Sequence, residues 1–204
     1  MTPMLLTDAD RVRLGRRAQM LAGMSVAYNA IEAIIAIAAG AAASSIALVG
    51  FGLDSIVEMS SALIILWQFR HPMPQVRERR ALRLIALSFF ALATYVAIES
   101  LRALFDGHAA ATSTVGIAVA TVSLVVMPGL SWAQRRTGRA LGSTTVVADS
   151  KQTLLCTYLS AVLLVGLLLN AWLGWWWADP VVGLVLAGLA VREGRDAWRG
   201  EGCC

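Results

Sequence analysis

The sequence predicts an all-α membrane protein with six transmembrane helices, and three observations carry that prediction. Of its 204 residues, 58% are hydrophobic and only 15% charged, a balance soluble domains of this length do not show. Mean hydropathy is +0.68. The apolar residues also gather into six runs, each near the ~20 residues that span a bilayer as a helix. No soluble domain, long linker or low-complexity tract interrupts them. The whole chain, 1–204, therefore reads as a single transmembrane unit, with no soluble C-terminal domain expected.

The first run, roughly 18–43, follows a polar segment with Arg11, Arg13, Arg16 and Arg17. That segment lacks an apolar core and cleavage site, so no cleaved signal peptide is expected. The second run is roughly 46–69. A basic connector from Arg70 to Arg83 follows, with Pro72 and Pro74 as helix breakers. The third run, roughly 82–105, ends near Glu99 and Arg102, which stand at i, i+3 and are expected to pair. Asp106-Gly107-His108 leads to the fourth run, roughly 110–133, where Pro128-Gly129 is expected to kink or fray the end. Arg135, Arg136 and Arg139 mark the next connector. The fifth run is roughly 145–173 and the sixth roughly 179–197. Helices one to three and four to six have the layout of a diverged repeat, without a convincing sequence match.

Basic residues set the expected orientation. They fall at the N-terminus, between helices two and three, between helices four and five, and at the C-terminus. Arg102 alone among 17 lysines and arginines lies on the other side. Both termini are thus expected in the cytoplasm, in the inner membrane if the source is bacterial. The net charge of +4 is explained by topology and anionic lipid, not by a nucleic-acid surface. Trp172, Trp175, Trp176 and Trp177 fall at the outer end of helix five, as an interfacial aromatic belt.

Polar residues at membrane depth carry the chemistry. Asp54 and Glu58 lie one turn apart on one face of helix two, straddling the midplane. A carboxylate there is costly and faces a partner, a cavity or an ion; two on one face make a hard-oxygen site for a divalent cation. A pair held by helix–helix hydrogen bonds is the plain alternative. Glu32 falls at the same depth on helix one, as a ligand, a proton carrier or a hydrogen-bond partner of Asn29 or another helix. Helix five presents Asp149, Gln152, Thr153, Cys156, Thr157 and Ser160 along one side. Cys156 is nearest the Asp54/Glu58 level, and Asp149 lies ~10 Å nearer the cytoplasm. Each has a bland reading: a packed cysteine, hydroxyls bonded to their own backbone, a glutamine between helices, and Asp149 as the cap of helix five.

This arrangement resembles the transmembrane region of the cation diffusion facilitator, or cation efflux, family. Those proteins have six helices, cytoplasmic termini and a metal site between helices two and five. The family's Asp-x-x-x-Asp on helix two is matched by Asp54-Ser-Ile-Val-Glu58. Its helix five begins Ala-Asp and continues with His-x-x-x-Asp or Asp-x-x-x-Asp. Here Ala148-Asp149 precedes Gln152 and Cys156, or Thr153 and Thr157 if the register slips by one. Gly174 to Pro180 resembles the junction before helix six. A neutral Gln and a Cys thus replace the usual His or Asp.

The resemblance implies a divalent-metal transporter exporting its cargo by proton antiport. The expected ligands are Asp54, Glu58 and Cys156, with Gln152 or a water as fourth; Asp149 is an intake carboxylate and Glu32 an accessory group. Carboxylate plus thiolate suits zinc, with cadmium, cobalt, iron or manganese as other cargoes, and no prosthetic group is expected. The competing classes are a non-transporting metal sensor or partner subunit, and a passive cation channel. An enzyme is not expected, since no nucleophile–base pair appears and His71 and His108 fall on opposite sides of the membrane. The small residues Ala36 to Ala43, with Gly40, suit a homodimer through membrane helices; a loose apolar segment is the alternative. Cys203 and Cys204 read as a metal-capturing end or a plain disordered one.

Overall fold

The computed structural model describes residues 8–68, 75–107 and 110–199. They form six α-helices: α1 Asp8–Ala43, α2 Ile46–Gln68, α3 Gln75–Asp106, α4 Thr114–Leu141, α5 Thr144–Leu173 and α6 Ala178–Arg199. Five of them, α1 to α5, contain stretches long and apolar enough to cross a membrane. Pro72, Pro74, His71, His108, Cys203 and Cys204 lie outside the described residues.

Three helices outrun their apolar segments. α1 begins at Asp8 and α3 at Gln75, so most of the expected basic connector is the helical start of α3. α4 passes through Pro128 and continues to Leu141, so the expected fraying there is overturned. Proline removes one backbone hydrogen bond, which membrane helices tolerate when neighbours pack the gap. Met127 and Leu130 on either side are buried in the core. Arg135, Arg136 and Arg139 consequently belong to α4. The turn into α5 is two residues long. Gly142, at φ 67°, returns its N–H to the end of α4, and Ser143 caps α5 through its side chain. A left-handed residue at that position is the usual reason for glycine.

The helices pack as two hairpins and a pair: α1 with α2, α4 with α5, and α3 with α6. The hairpins meet through α1 against α4 and α2 against α5. Exchanging the first three helices with the last three leaves this pattern almost unchanged, which gives the diverged repeat a physical counterpart. One contact breaks it. α2 packs on α6, whereas α5 makes no comparable contact with α3.

Small residues make the first hairpin close. A Cβ on Gly40 would sit 2.7 Å from the Val49 backbone, and one on Gly52 would sit 2.7 Å from Ile37. Ala36 is fully buried in the same seam. Gly40 and Ala36 are therefore spent inside the chain, against α2, while Ala38, Ala41 and Ala42 of the same stretch stay exposed. Burial departs from that of a soluble protein. Ile34, Val125 and Phe105 are exposed, while Ser25, Asn29, Glu32, Glu58, Asp149 and Thr153 are buried. With apolar lipid outside, helices associate through packing and hydrogen bonds rather than hydrophobic burial.

Candidate metal centre

The α2–α5 contact sets the site. Ser61 of α2 donates a hydrogen bond of 3.1 Å to Oδ1 of Asp149 on α5. Asn170, at the far end of α5, reaches the Ala110 carbonyl at 2.9 Å, and Ala111 bonds back to Ala43 beside the start of α2. The two helices are therefore antiparallel. Counting back along α2 and forward along α5 from the Ser61–Asp149 bond, equal rise pairs Glu58 with Gln152 and Asp54 with Cys156. The two i, i+4 pairs therefore lie at matching depths.

Asp54, Gln152 and Cys156 line one cavity of about 320 Å³, walled by α3 and α6. It lies among α2, α3, α5 and α6. Asp54 is half-buried. Glu58 lies deeper, 1% exposed, against Thr153 and Cys156. Neither of its carboxylate oxygens has a donor in hydrogen-bonding geometry, and the buried Nε2 of Gln152 also lacks a partner. Such groups are rare, because an unsatisfied buried polar atom costs ~1–3 kcal/mol and a charged one more. The donor set, two carboxylates, a thiol and an amide, suits a divalent cation of borderline softness. Among the described residues, no three His, Cys, Asp or Glu side chains are already gathered on one ion-sized point. Asp54, Gln152 and Cys156 share one cavity, Glu58 is buried outside its lining, and the groups must turn inward to share one ion.

The remaining hydroxyls of α5 are committed elsewhere. Thr153 donates to the Asp149 carbonyl, Thr157 to that of Thr153 and Ser160 to that of Cys156. This local bonding leaves the slipped Thr153/Thr157 pair less free than Gln152 and Cys156.

The other carboxylates are satisfied. Asp149 is not the cap of α5, a role Ser143 fills. It is buried, with Oδ1 taken by Ser61 and Oδ2 by Nε2 of Gln134 on α4 at 2.7 Å. Glu32 accepts from Ser55 of α2 at 2.9 Å and from Tyr28 at 3.2 Å. Asn29 instead turns back to Ser25. Glu99 and Arg102 pair at 2.7 Å, as their spacing predicts.

Four residues escaped the sequence reading. Asp179 of α6 accepts from Ser45 Oγ and from the Ile46 N–H at 2.9 Å, so one helix caps the start of another. Gln134 and Ser61 hold Asp149; the signal of Gln134 was a polar side chain at the edge of an apolar run, and that of Ser61 a hydroxyl inside one. Glu193 of α6 lines the cavity with Asp54; in the sequence it sits among Arg192, Arg195 and Asp196 and reads as a solvated helix end.

A family model described as the cation efflux transmembrane domain matches residues 83–199, from α3 through α6. That span takes in Gln152, Cys156 and Glu193, and stops short of Asp54 and Glu58. The cation-efflux pump FieF of Shewanella oneidensis is 36% identical to this chain over 75 residues, 37% of this chain and 25% of that protein. The aligned region thus spans a quarter of that relative's length.

Proposed function

We propose, from the premise that this chain belongs to the cation efflux family of multi-pass integral membrane proteins, that it exports a divalent metal cation, zinc first, from the cytoplasm in exchange for protons. Asp54, Glu58 and Cys156 hold the ion, with Gln152 or a water completing four-coordination. One observation carries this reading: the antiparallel register that sets Asp54 and Glu58 opposite Cys156 and Gln152, with the Glu58 oxygens free of donors.

The chemistry follows from the ligands. Carboxylates and a thiolate bind metal only without their protons, so metal and protons compete for the same atoms. An ion arriving from one side releases protons, and protons arriving from the other release the ion. The coupling needs the site to face one side at a time, which rocking of the α1–α2 hairpin against α4–α5 supplies. The thiol favours zinc and cadmium over magnesium or calcium. In this reading α6 is the sixth span and both ends of the chain face the cytoplasm, the side to which the basic residues belong.

Zinc flux into proteoliposomes, with and without an imposed pH gradient, tests the proposal. The expected result is gradient-driven flux that vanishes in Asp54→Ala. Unchanged flux in a folded Asp54→Ala protein would remove the site. One observation favours a second reading, a metal sensor or partner subunit: no three ligand side chains are yet gathered among the described residues. That reading predicts stoichiometric zinc binding without flux, and a channel predicts flux indifferent to the gradient.

A further inference from the structure

The expected intake carboxylate is Asp149, but both of its oxygens are taken by Ser61 and Gln134. The cavity that reaches Asp54 does not run past it. It runs instead past the last turns of α6, where Glu193 and Arg192 form part of its lining. Asp179 and Ile46 are in contact, which fixes α6 beside α2. Counting from that contact along both helices, Glu193 lies ~9 Å nearer the end of the molecule that holds Lys151 than Asp54 does. Zinc–oxygen bonds are ~2.0–2.2 Å long, so Glu193 at that offset does not share an ion already seated on Asp54. The two carboxylates are close enough for their charges to interact. Glu193 is half-buried. Asp196 adds negative charge beside it, while Arg192 and Lys151 bear on it with positive charge.

We infer that Glu193 is the capture carboxylate of the cavity: it draws a divalent cation from the α6 end and passes it inward to Asp54, Cys156 and Gln152. This rests on the metal-site reading above and adds a helix to it. Three features support the assignment. The cavity is continuous between the two carboxylates. Apart from Glu193, Arg192, Asp54 and Gln152 the wall is largely apolar, Phe89, Leu92 and Val96 among it, and low-dielectric walls focus the field of the charges that line a cleft. The buried Nε2 of Gln152, without a partner on the same cavity, marks a polar group further along the path. Its amide can turn to offer oxygen to a cation, since the two ends of a glutamine amide interchange by rotation.

Glu193 is thus a positioning residue for the cargo, and its removal acts on capture rather than turnover. The test is stopped-flow zinc association with the detergent-solubilised full chain, together with the zinc dependence of flux in proteoliposomes. Glu193→Gln is expected to slow association and raise the KM for zinc by roughly five- to tenfold at low salt, with kcat within twofold. The difference should shrink in high salt, where exposed charges are screened, and Glu193→Asp should restore most of it. An unchanged association rate and KM in Glu193→Gln would overturn the inference, as would a folded variant that loses kcat at unchanged KM. Failure of the underlying site has a separate signature: flux unaffected by Asp54→Ala, whatever Glu193 does.

Discussion

Glu58 and Asp149 are both buried carboxylates at the α2–α5 seam, and they live differently. Asp149 has a donor on each oxygen, one from α2 and one from α4. Glu58, less than two turns of helix away by register, has none. A satisfied carboxylate inside a membrane protein holds helices together. An unsatisfied one is costly unless something binds to it. The contrast separates structural acids from the acids proposed to work. Asp179, which caps α2, and Glu32, which takes Ser55 and Tyr28, fall on the structural side. Asp54 and Glu58 fall on the other, with Cys156 and Gln152 at matching depths.

Substitutions on the two sides should therefore fail in different ways. The largest effect belongs to Asp54→Ala, which should drop zinc flux to that of protein-free liposomes while leaving thermal stability in detergent within a few degrees. Cys156→Ser comes next. It removes the only soft ligand of the proposed set, so cadmium affinity should fall tenfold or more relative to manganese in competition binding. Equal losses for both metals would argue that the thiol only fills space.

On the structural side the order reverses. Asp179→Ala strips the start of α2 of an acceptor for Ser45 and the Ile46 N–H. It should cost about 1–2 kcal/mol of stability, the range for a lost helix cap, read as a lower melting temperature. Zinc affinity should change little. The smallest effect is expected for Asp149→Asn. The new amide can donate to Gln134 Oε1, which has no partner now, once the Gln134 amide turns over. About 1 kcal/mol of stability is at stake, with flux kept within twofold. A flux loss as deep as that of Asp54→Ala would move Asp149 across the divide and restore its intake role.

Much of this division was legible in the sequence, and the illegible part has a physical cause. Asp54 and Glu58 stand out because an i, i+4 acid pair in an apolar run is expensive whatever surrounds it. The polar face of α5 is likewise visible from spacing alone. Its register against α2 is not, because it depends on Ser61 meeting Asp149 across 88 positions of chain. The cap on α2 is hidden for the same reason, since Ser45 and Asp179 stand 134 positions apart. Helix lengths were underestimated at α1 and α3 because hydropathy measures the apolar span, while backbone hydrogen bonding continues into polar residues until a breaker stops it. Pro128 misled in the opposite direction. Its local cost is real, but packing around Met127 and Leu130 outweighs it. Glu193 was concealed by neighbours of mixed charge that look solvated, and only the packed helices reveal that it lines the same cavity as Asp54.

The account rests most heavily on one claim, that a cation sits between α2 and α5 with Cys156 among its ligands. X-ray absorption spectroscopy on the zinc-loaded full chain tests it directly, with Cys203→Ser and Cys204→Ser introduced so that Cys156 is the sole sulfur from cysteine. The account predicts one sulfur at ~2.3 Å beside oxygen or nitrogen ligands at ~2.0–2.2 Å, and loss of the sulfur shell in Cys156→Ser. Zinc bound stoichiometrically with no sulfur neighbour, and with a spectrum unchanged by Cys156→Ser, would contradict it.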